Sequence, residues 1–436
     1  MSMPDEEITL DADVVVIGGG IVGCAASYYL SRRGISTALF EKDEIGRGQS
    51  GRNWGFVRQQ GRDPSELPLM IEANRIWCNA AKELGADVEW MQGGNMALAT
   101  TPERMALFEG WRSTAREHGL DTEILGPAKL RALIPGMEGE WLGAMYTASD
   151  GHAEPRKATL AFCAAAKAAG ARVFEHCAAL RVGTVNGGVS EVWTEMGRVR
   201  TRCVVGAAGA WSAKLVSPLG LHLPQRWVRS TVARTNAMPR ISDAAVWAPG
   251  VAFRQRRDGT LNLGGGGWAD HDITLDSLRD ARLFLPNYWK NRKLFQFHVG
   301  KPLFADLLAR LPGSRERRHP FSASWAKEPP PNPAKLERMV VEFRKMFPAI
   351  ADLKITETWA GYMDATPDAL PVLGTAESPR GFVFATGFSG HGFGLGPIAG
   401  RLVAELIADG KTSLDIHSFR FSRFAEGAIG EPRSVL

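Results

Sequence analysis

The sequence predicts an α/β protein: a dinucleotide-binding lobe on a parallel sheet, joined to a second lobe with a mixed or antiparallel sheet. Three observations predict it. The run Asp13-Val-Val-Val-Ile-Gly-Gly-Gly-Ile-Val-Gly-Cys24 joins an apolar strand to Gly18-x-Gly20-x-x-Gly23 and then to a small-residue helix over 24–33. A second apolar run, Ile35 to Phe40, ends in Glu41, 18 residues beyond Gly23. Strand, glycine-rich turn and helix then recur between Phe382 and Ala408.

Each glycine of the first turn has a physical role. One makes the tight turn, one lets bare backbone approach a pyrophosphate, and one allows the helix to pack closely on the strand. The helix start, with Ile21 and Val22, offers unpaired N–H groups and a positive dipole end to phosphate. A carboxylate at Glu41 accepts ribose hydroxyls and repels a 2′-phosphate. This order of strand, helix, strand and acid is the Rossmann-type pattern.

Composition narrows the class. Apolar residues make up 44% and charged residues 23% of 436 residues, which suits a globular protein of two or three lobes with a large core. A net charge of +5 is mild, so no nucleic-acid partner is expected. Arg47, Arg52, Arg58 and Arg62 nevertheless fall in a window without any acid. The five cysteines form no CxxC and no metal spacing. They read as reduced thiols of a cytoplasmic protein with no metal. The acidic N-terminus lacks the apolar core of a signal peptide, and no run of residues is apolar enough to span a membrane.

Further along, Gly46 to Arg58 is a glycine-rich basic loop, followed by a helix of about 18 residues from near Ser65. Helices are expected over 102–118 and 155–169, a strand over 172–174, and a hairpin about Asn186-Gly187. The strand at Val204 runs into a small-residue turn, Ala207-Ala-Gly-Ala-Trp-Ser212. Strands over 251–256 and 260–264 pair across Asp258-Gly259, a long helical stretch follows Leu275, and a proline spacer from Glu328 precedes a helix over 334–346. The final helix is expected over 398–408. The cofactor lobe is thus expected at 1–86, 147–217 and 355–436, and the substrate lobe at 87–146 and 218–354.

The fingerprint near one end, the basic loop after Glu41 and the returning glycine-rich turn favour FAD over NAD. The chain resembles the D-amino acid oxidase family of flavoproteins, within it the sarcosine oxidase, glycine oxidase and D-amino acid dehydrogenase group. The matching pieces are Gly18 to Glu41, Ser50-Gly-Arg-Asn53, Asp150-Gly151, Glu175 to Leu180, Ala207 to Ser212, Trp359-Ala-Gly361 through Gly374, and Gly387-Phe-Ser-Gly-His-Gly-Phe393. The resemblance implies a glutathione-reductase-like FAD lobe. Gly18, Gly20, Gly23, Glu41, Lys42 and the backbone near Ala179 would hold the ADP end. Arg47, Gly48, Ser50, Gly51, Arg52 and Asn53 would run under the isoalloxazine, with Ala208, Gly209, Trp211 and Gly361 beside it. Gly390, His391, Gly392, Phe393 and Gly394 would present a helix N-terminus to the flavin's pyrimidine edge, where reduction places negative charge.

Departures from the family pattern matter. The glycine oxidase arginine falls at Met363 and the sarcosine oxidase lysine at Gly394, so both usual carboxylate anchors are absent. Arg58, near the second carboxylate-binding arginine of sarcosine oxidases, is the best remaining anchor, with Arg254 and Arg256 behind it. No cysteine stands near Ala360, so FAD is expected to be non-covalent. Asn262 replaces a lysine associated with oxygen activation, which leans the reading toward a dehydrogenase. Arg58, Tyr362 and His391 are the expected substrate-site residues, and Trp268 and His271 are weaker candidates. The expected reaction is oxidation of a C–N bond of a small amino acid or secondary amine by hydride transfer to flavin N5. The alternatives are a flavin subunit passing electrons to a partner, and an enzyme of the same fold acting on a 2-hydroxy acid. The aromatic and basic stretch 284–304, with Lys290, Arg292 and Lys293, would dock on a partner or on the inner membrane face.

Overall fold

The computed structural model describes residues 10–267, 269–292, 295–314 and 329–435. Trp268, Lys293 and the first residue of the expected proline spacer, Glu328, lie outside them.

Two sheets organise the chain. The first has six strands in the order Val372–Thr375, Phe382–Thr386, Cys203–Gly206, Val14–Ile17, Thr37–Phe40 and Arg172–Phe174. Neighbours run parallel except for the antiparallel edge pair of Val372–Thr375 with Phe382–Thr386. Its central strands read as continuous apolar runs because both faces are covered, one by helices and the other mainly by the strands that carry Val182, Val189, Val192 and Val199. Helices Ile21–Arg32, Pro155–Ala168 and Gly392–Asp409 bury one face in a single cluster with Val14, Val16 and Leu39.

The second sheet has ten strands, mostly antiparallel, and reaches from Phe295–His298 to Thr122–Leu125. Its longest pairing sets Arg226–Thr235 against Ile355–Ala365. The strand Ile355–Ala365, expected with the cofactor lobe, is therefore hydrogen-bonded into this sheet along its length. A four-stranded sheet carries the hairpin Ala179–Val185 and Gly188–Thr194, whose turn has Asn186 and Gly187 both at positive φ, as a two-residue hairpin turn requires.

Three expectations change. The helical stretch after Leu275 is broken into Leu275–Arg279, Ala281–Asn291 and Lys301–Ala309, with the strand Phe295–His298 between the last two. That strand pairs with Ala269–Asp272, and the His298 ring meets Asp270 at 2.7 Å, a long-range contact that outcompetes local helix propensity. The final helix starts at Gly392, not 398, although it contains Pro397. There the Trp77 indole donates to the Gly394 carbonyl at 2.9 Å, a partner supplied by another helix. The helix expected from near Ser65 starts at Leu67, so Glu66 stands at its cap.

Candidate active site

The edges of the two sheets enclose a cavity of about 1310 Å³, above the roughly 300–1,000 Å³ usual for a single ligand. The expected cofactor residues converge on it. Gly18, Gly20, Ile21, Val22, Glu41, Lys42, Arg47, Gly48, Ser50, Arg52, Asn53, Ala179, Ala208, Gly209, Trp211, Gly361, Gly390, His391, Gly392 and Phe393 all line it. Gly23, Gly51 and Gly394 stand behind the wall. A Cβ on Gly23 would collide with the Gly18 carbonyl, and one on Gly51 with that of Gly46. These glycines let backbone segments close up, which shapes the cradle without touching what it holds.

The cradle fits an adenine dinucleotide. Gly18 has φ +113° and no room for a Cβ against the Ala207 carbonyl. A Cβ on Gly20 would meet only Ser50 Oγ, at 3.0 Å, so its backbone is open to a phosphate. The Ile21 N–H donates to Ser50 Oγ at 2.8 Å, which ties the basic loop to the start of the first helix. Glu41 accepts from the Gly19 N–H at 2.7 Å and the Asp43 N–H at 2.9 Å, and its carboxylate has further lone pairs for hydroxyl donors. Burial holds its pKa above the usual carboxylate value. At the far end the last helix starts at Gly392 with no side-chain cap, so first-turn N–H groups remain for a ligand.

Beyond that helix start the cavity becomes cationic. Arg58, Arg62 and Arg104 all line it. Arg58 is buried and its Nη1 donates to the Gln60 carbonyl. Burial, and then the neighbouring Arg62, pull its pKa down to about 9. His391, the N-cap of the last helix, donates from Nδ1 to Glu66 at 3.0–3.1 Å. Despite that carboxylate, burial and Arg62 lower its pKa to about 4, so the ring is neutral at physiological pH with its proton on Nδ1. Glu66 reaches it from the cap of helix Leu67–Leu84.

Other candidates are placed differently. Tyr362 also lines the cavity, but its hydroxyl meets Asp272 Oδ2 at 2.9 Å, and Asp272 pairs with Arg229. Its ring packs against Trp227. Arg254 and Arg256 do not line the cavity: both pair with Glu154, Arg254 at 2.5 Å, because that buried carboxylate sits on their face of the strand. His271 is turned to the Trp227 carbonyl at 3.0 Å, and Asn262 is buried off the cavity wall. Met363 is on the wall, its sulfur 3.0 Å from where a Gly390 Cβ would sit.

Sequence reasoning missed two parts of the wall. Arg62 and Arg104 carried no motif beyond their basicity. The segment 431–435 also lines the cavity, strapped down by Arg433 on Asp63 at 2.9 Å and by Ser434 and Val435 on the Gly61 carbonyl. Lys290 donates to the Pro432 carbonyl at 2.6 Å, so it serves the strap as well as the stretch expected to dock.

A glycine cradle, an acidic strand end and two uncapped helix starts around one long cavity define a two-sheet dinucleotide-dependent oxidoreductase. The chain belongs to the DAO family of FAD dependent oxidoreductases, whose profile matches residues 13–406. It is 26% identical over 441 residues to sarcosine dehydrogenase of Mus musculus, which is 99% of this chain but 43% of that protein. The chain thus spans less than half the length of that relative. Glycine oxidase of Bacillus subtilis (strain 168) is 26% identical over 429 residues, 94% of this chain and 97% of its own. Among solved structures, L-amino acid deaminase from Proteus myxofaciens in complex with anthranilate superposes with a TM-score of 0.88 at 26% identity, covering 97% of this chain and 96% of that one. L-proline dehydrogenase from P. horikoshii gives 0.80 at 26% identity, over 98% and 100% of the two chains.

Proposed function

We propose that this protein oxidises the C–N bond of a small amino acid or secondary amine with non-covalently held FAD, as a dehydrogenase rather than a fast oxidase. The observation that carries the reading is one cavity running from a dinucleotide cradle, past an uncapped helix start, to buried arginines. The named relatives, a sarcosine dehydrogenase, a glycine oxidase, an amino acid deaminase and a proline dehydrogenase, support the amine class. FAD held in the cradle would supply a two-electron acceptor for the hydride on the carbon beside the nitrogen, and the neutral amine would become an iminium ion that water hydrolyses.

The chain's own residues position the substrate and set its charge. Arg58 offers a planar fork to a carboxylate. The same cations disfavour an ammonium group beside them, so the amine is held neutral without a dedicated base. Neutral His391, fixed by Glu66, adds no further charge. Tyr362, tied to Asp272, acts as wall.

Anaerobic mixing of the yellow protein with amino acids, N-methyl amino acids, cyclic imino acids and hydroxy acids tests this. Bleaching by an amine followed by slow recovery in air supports an amine dehydrogenase. Bleaching by a hydroxy acid alone overturns the C–N assignment.

A second reading, transfer of electrons to a membrane-associated or protein acceptor, is favoured by one observation. Leu285, Trp289, Phe297, Val299 and Phe304 are all exposed within the stretch 284–304. No helix among the described residues is long and apolar enough to cross a membrane, so contact would be peripheral. Flotation with anionic phospholipid vesicles that is lost in W289D/F304D supports it; no flotation of the parent protein argues against it.

A further inference from the structure

We propose that the cavity takes a substrate carrying two acidic groups, an amino or imino dicarboxylate, and that Arg62 holds the second of them. The inference rests on the reading of this cavity as a substrate site. It starts from two buried cations that make no direct ion pair, although Glu66 and Asp150 lie near enough to act on both through space. Arg58 is 6% and Arg62 2% exposed, yet both line the cavity. Arg62 donates from Nε to the Arg58 carbonyl at 3.1 Å, while its Nη1 is buried with no hydrogen-bond partner. Its Nη2 lies 3.7 Å from where a Cβ on Gly394 would sit. The tighter neighbour of that point is the Met70 side chain, at 3.2 Å. Arg58 uses Nη1 on the Gln60 carbonyl.

The nearby acids Glu66 and Asp150 act on both guanidinium groups through space, but their hydrogen bonds go to other groups. Glu66 is on His391. Asp150 accepts the backbone N–H groups of Gln59 at 2.7 Å and Gln60 at 3.1 Å. A third guanidinium, Arg104, lines the same wall over the Phe108 ring at 5.0 Å. Among the described residues none of the three arginines makes an ion pair.

One carboxylate answers one planar fork bidentately. With a single carboxylate bound, the buried Arg62 Nη1 would remain desolvated and without a hydrogen-bond partner, which is costly for a charged group. Two carboxylates on one ligand remove that cost. Two bound carboxylates would also offset the repulsion between Arg58 and Arg62, which adds to burial in lowering the Arg58 pKa.

The test is a titration of the holoprotein, read from the flavin absorbance, with inert monocarboxylates (acetate, butyrate) and dicarboxylates (malonate, succinate, glutarate). At least one dicarboxylate is expected to bind about 10-fold to 100-fold tighter than the monocarboxylates. Arg62→Gln should remove that preference while leaving monocarboxylate affinity in place, and Arg62→Lys should restore part of it. Equal affinities in the parent protein overturn the proposal, and so does a preference that survives Arg62→Gln. Because the parent ratio needs no variant, loss of flavin or folding in Arg62→Gln does not block the test, and Arg62→Lys then decides the role of Arg62. Amines that bleach the flavin without any dicarboxylate preference overturn this inference alone. An Arg62-dependent preference with no bleaching by any amine overturns the C–N oxidation reading and leaves the two-acid site standing.

Discussion

His391 decides the acid behaviour of the site. Its folded pKa of about 4 lies below the ordinary histidine value of 6.5, through burial and then Arg62, with Arg58 adding to the effect and Glu66 opposing it. The unfolded chain therefore takes up the proton first. The resulting stability is fully present above about pH 6.5 and is lost as pH falls toward 4. Replacing His391 with Gln should flatten this part of a urea-midpoint profile, by roughly 3 kcal/mol at its acid end. His271, also near 4, should retain its own share of the loss. At the opposite end of the cavity, Glu41→Gln keeps the shape but leaves one acceptor oxygen for the donors that now approach two. FAD affinity should fall by about 10-fold or more, read by flavin content after gel filtration. The Glu41 expectation concerns a group whose donors are backbone N–H groups, whereas His391 is set by side chains from a distant part of the chain. The motif around Gly18 and Glu41 was legible because its residues keep a fixed spacing within one strand–helix–strand unit.

Elements meet through residues that look ordinary in sequence. Arg254 and Arg256 alternate on a strand and read as cavity candidates, but Glu154, at the cap of helix Pro155–Ala168, binds both. Glu154→Ala should destabilise the protein by about 3–5 kcal/mol, since two guanidinium groups, one fully buried, would lose their carboxylate; a thermal melt reads it. Helix boundaries were legible where caps and prolines are local. Pro102, Pro155 and Pro333 each open a helix where expected. They were not legible where another element intervenes. Pro397, just ahead of the final helix expected over 398–408, lies inside that helix, and the stretch after Leu275 yields a strand to pair with Ala269–Asp272.

For the molecule as a whole, the cavity is completed by residues far apart in the chain. The segment 431–435 closes part of it through Asp63, Gly61 and Lys290. Truncation after Gly430 should open that wall. Iodide should then quench flavin fluorescence more strongly and inert carboxylates should bind more weakly, while the near-ultraviolet dichroism of the core stays unchanged.

The sequence by itself determined the cofactor class and the family. Strand period, glycine spacing and the acid at Glu41 are local consequences of backbone geometry, and a short window contains all of their physics. Only the tertiary structure decided which cations face the cavity. Arg58, Arg62, Arg254 and Arg256 are equivalent as residue types; what separates them is whether a carboxylate from a distant element reaches them. Glu154 pairs directly with Arg254 and Arg256, whereas Glu66 and Asp150 act on Arg58 and Arg62 only through space. The charge left in the cavity is therefore a long-range outcome of packing.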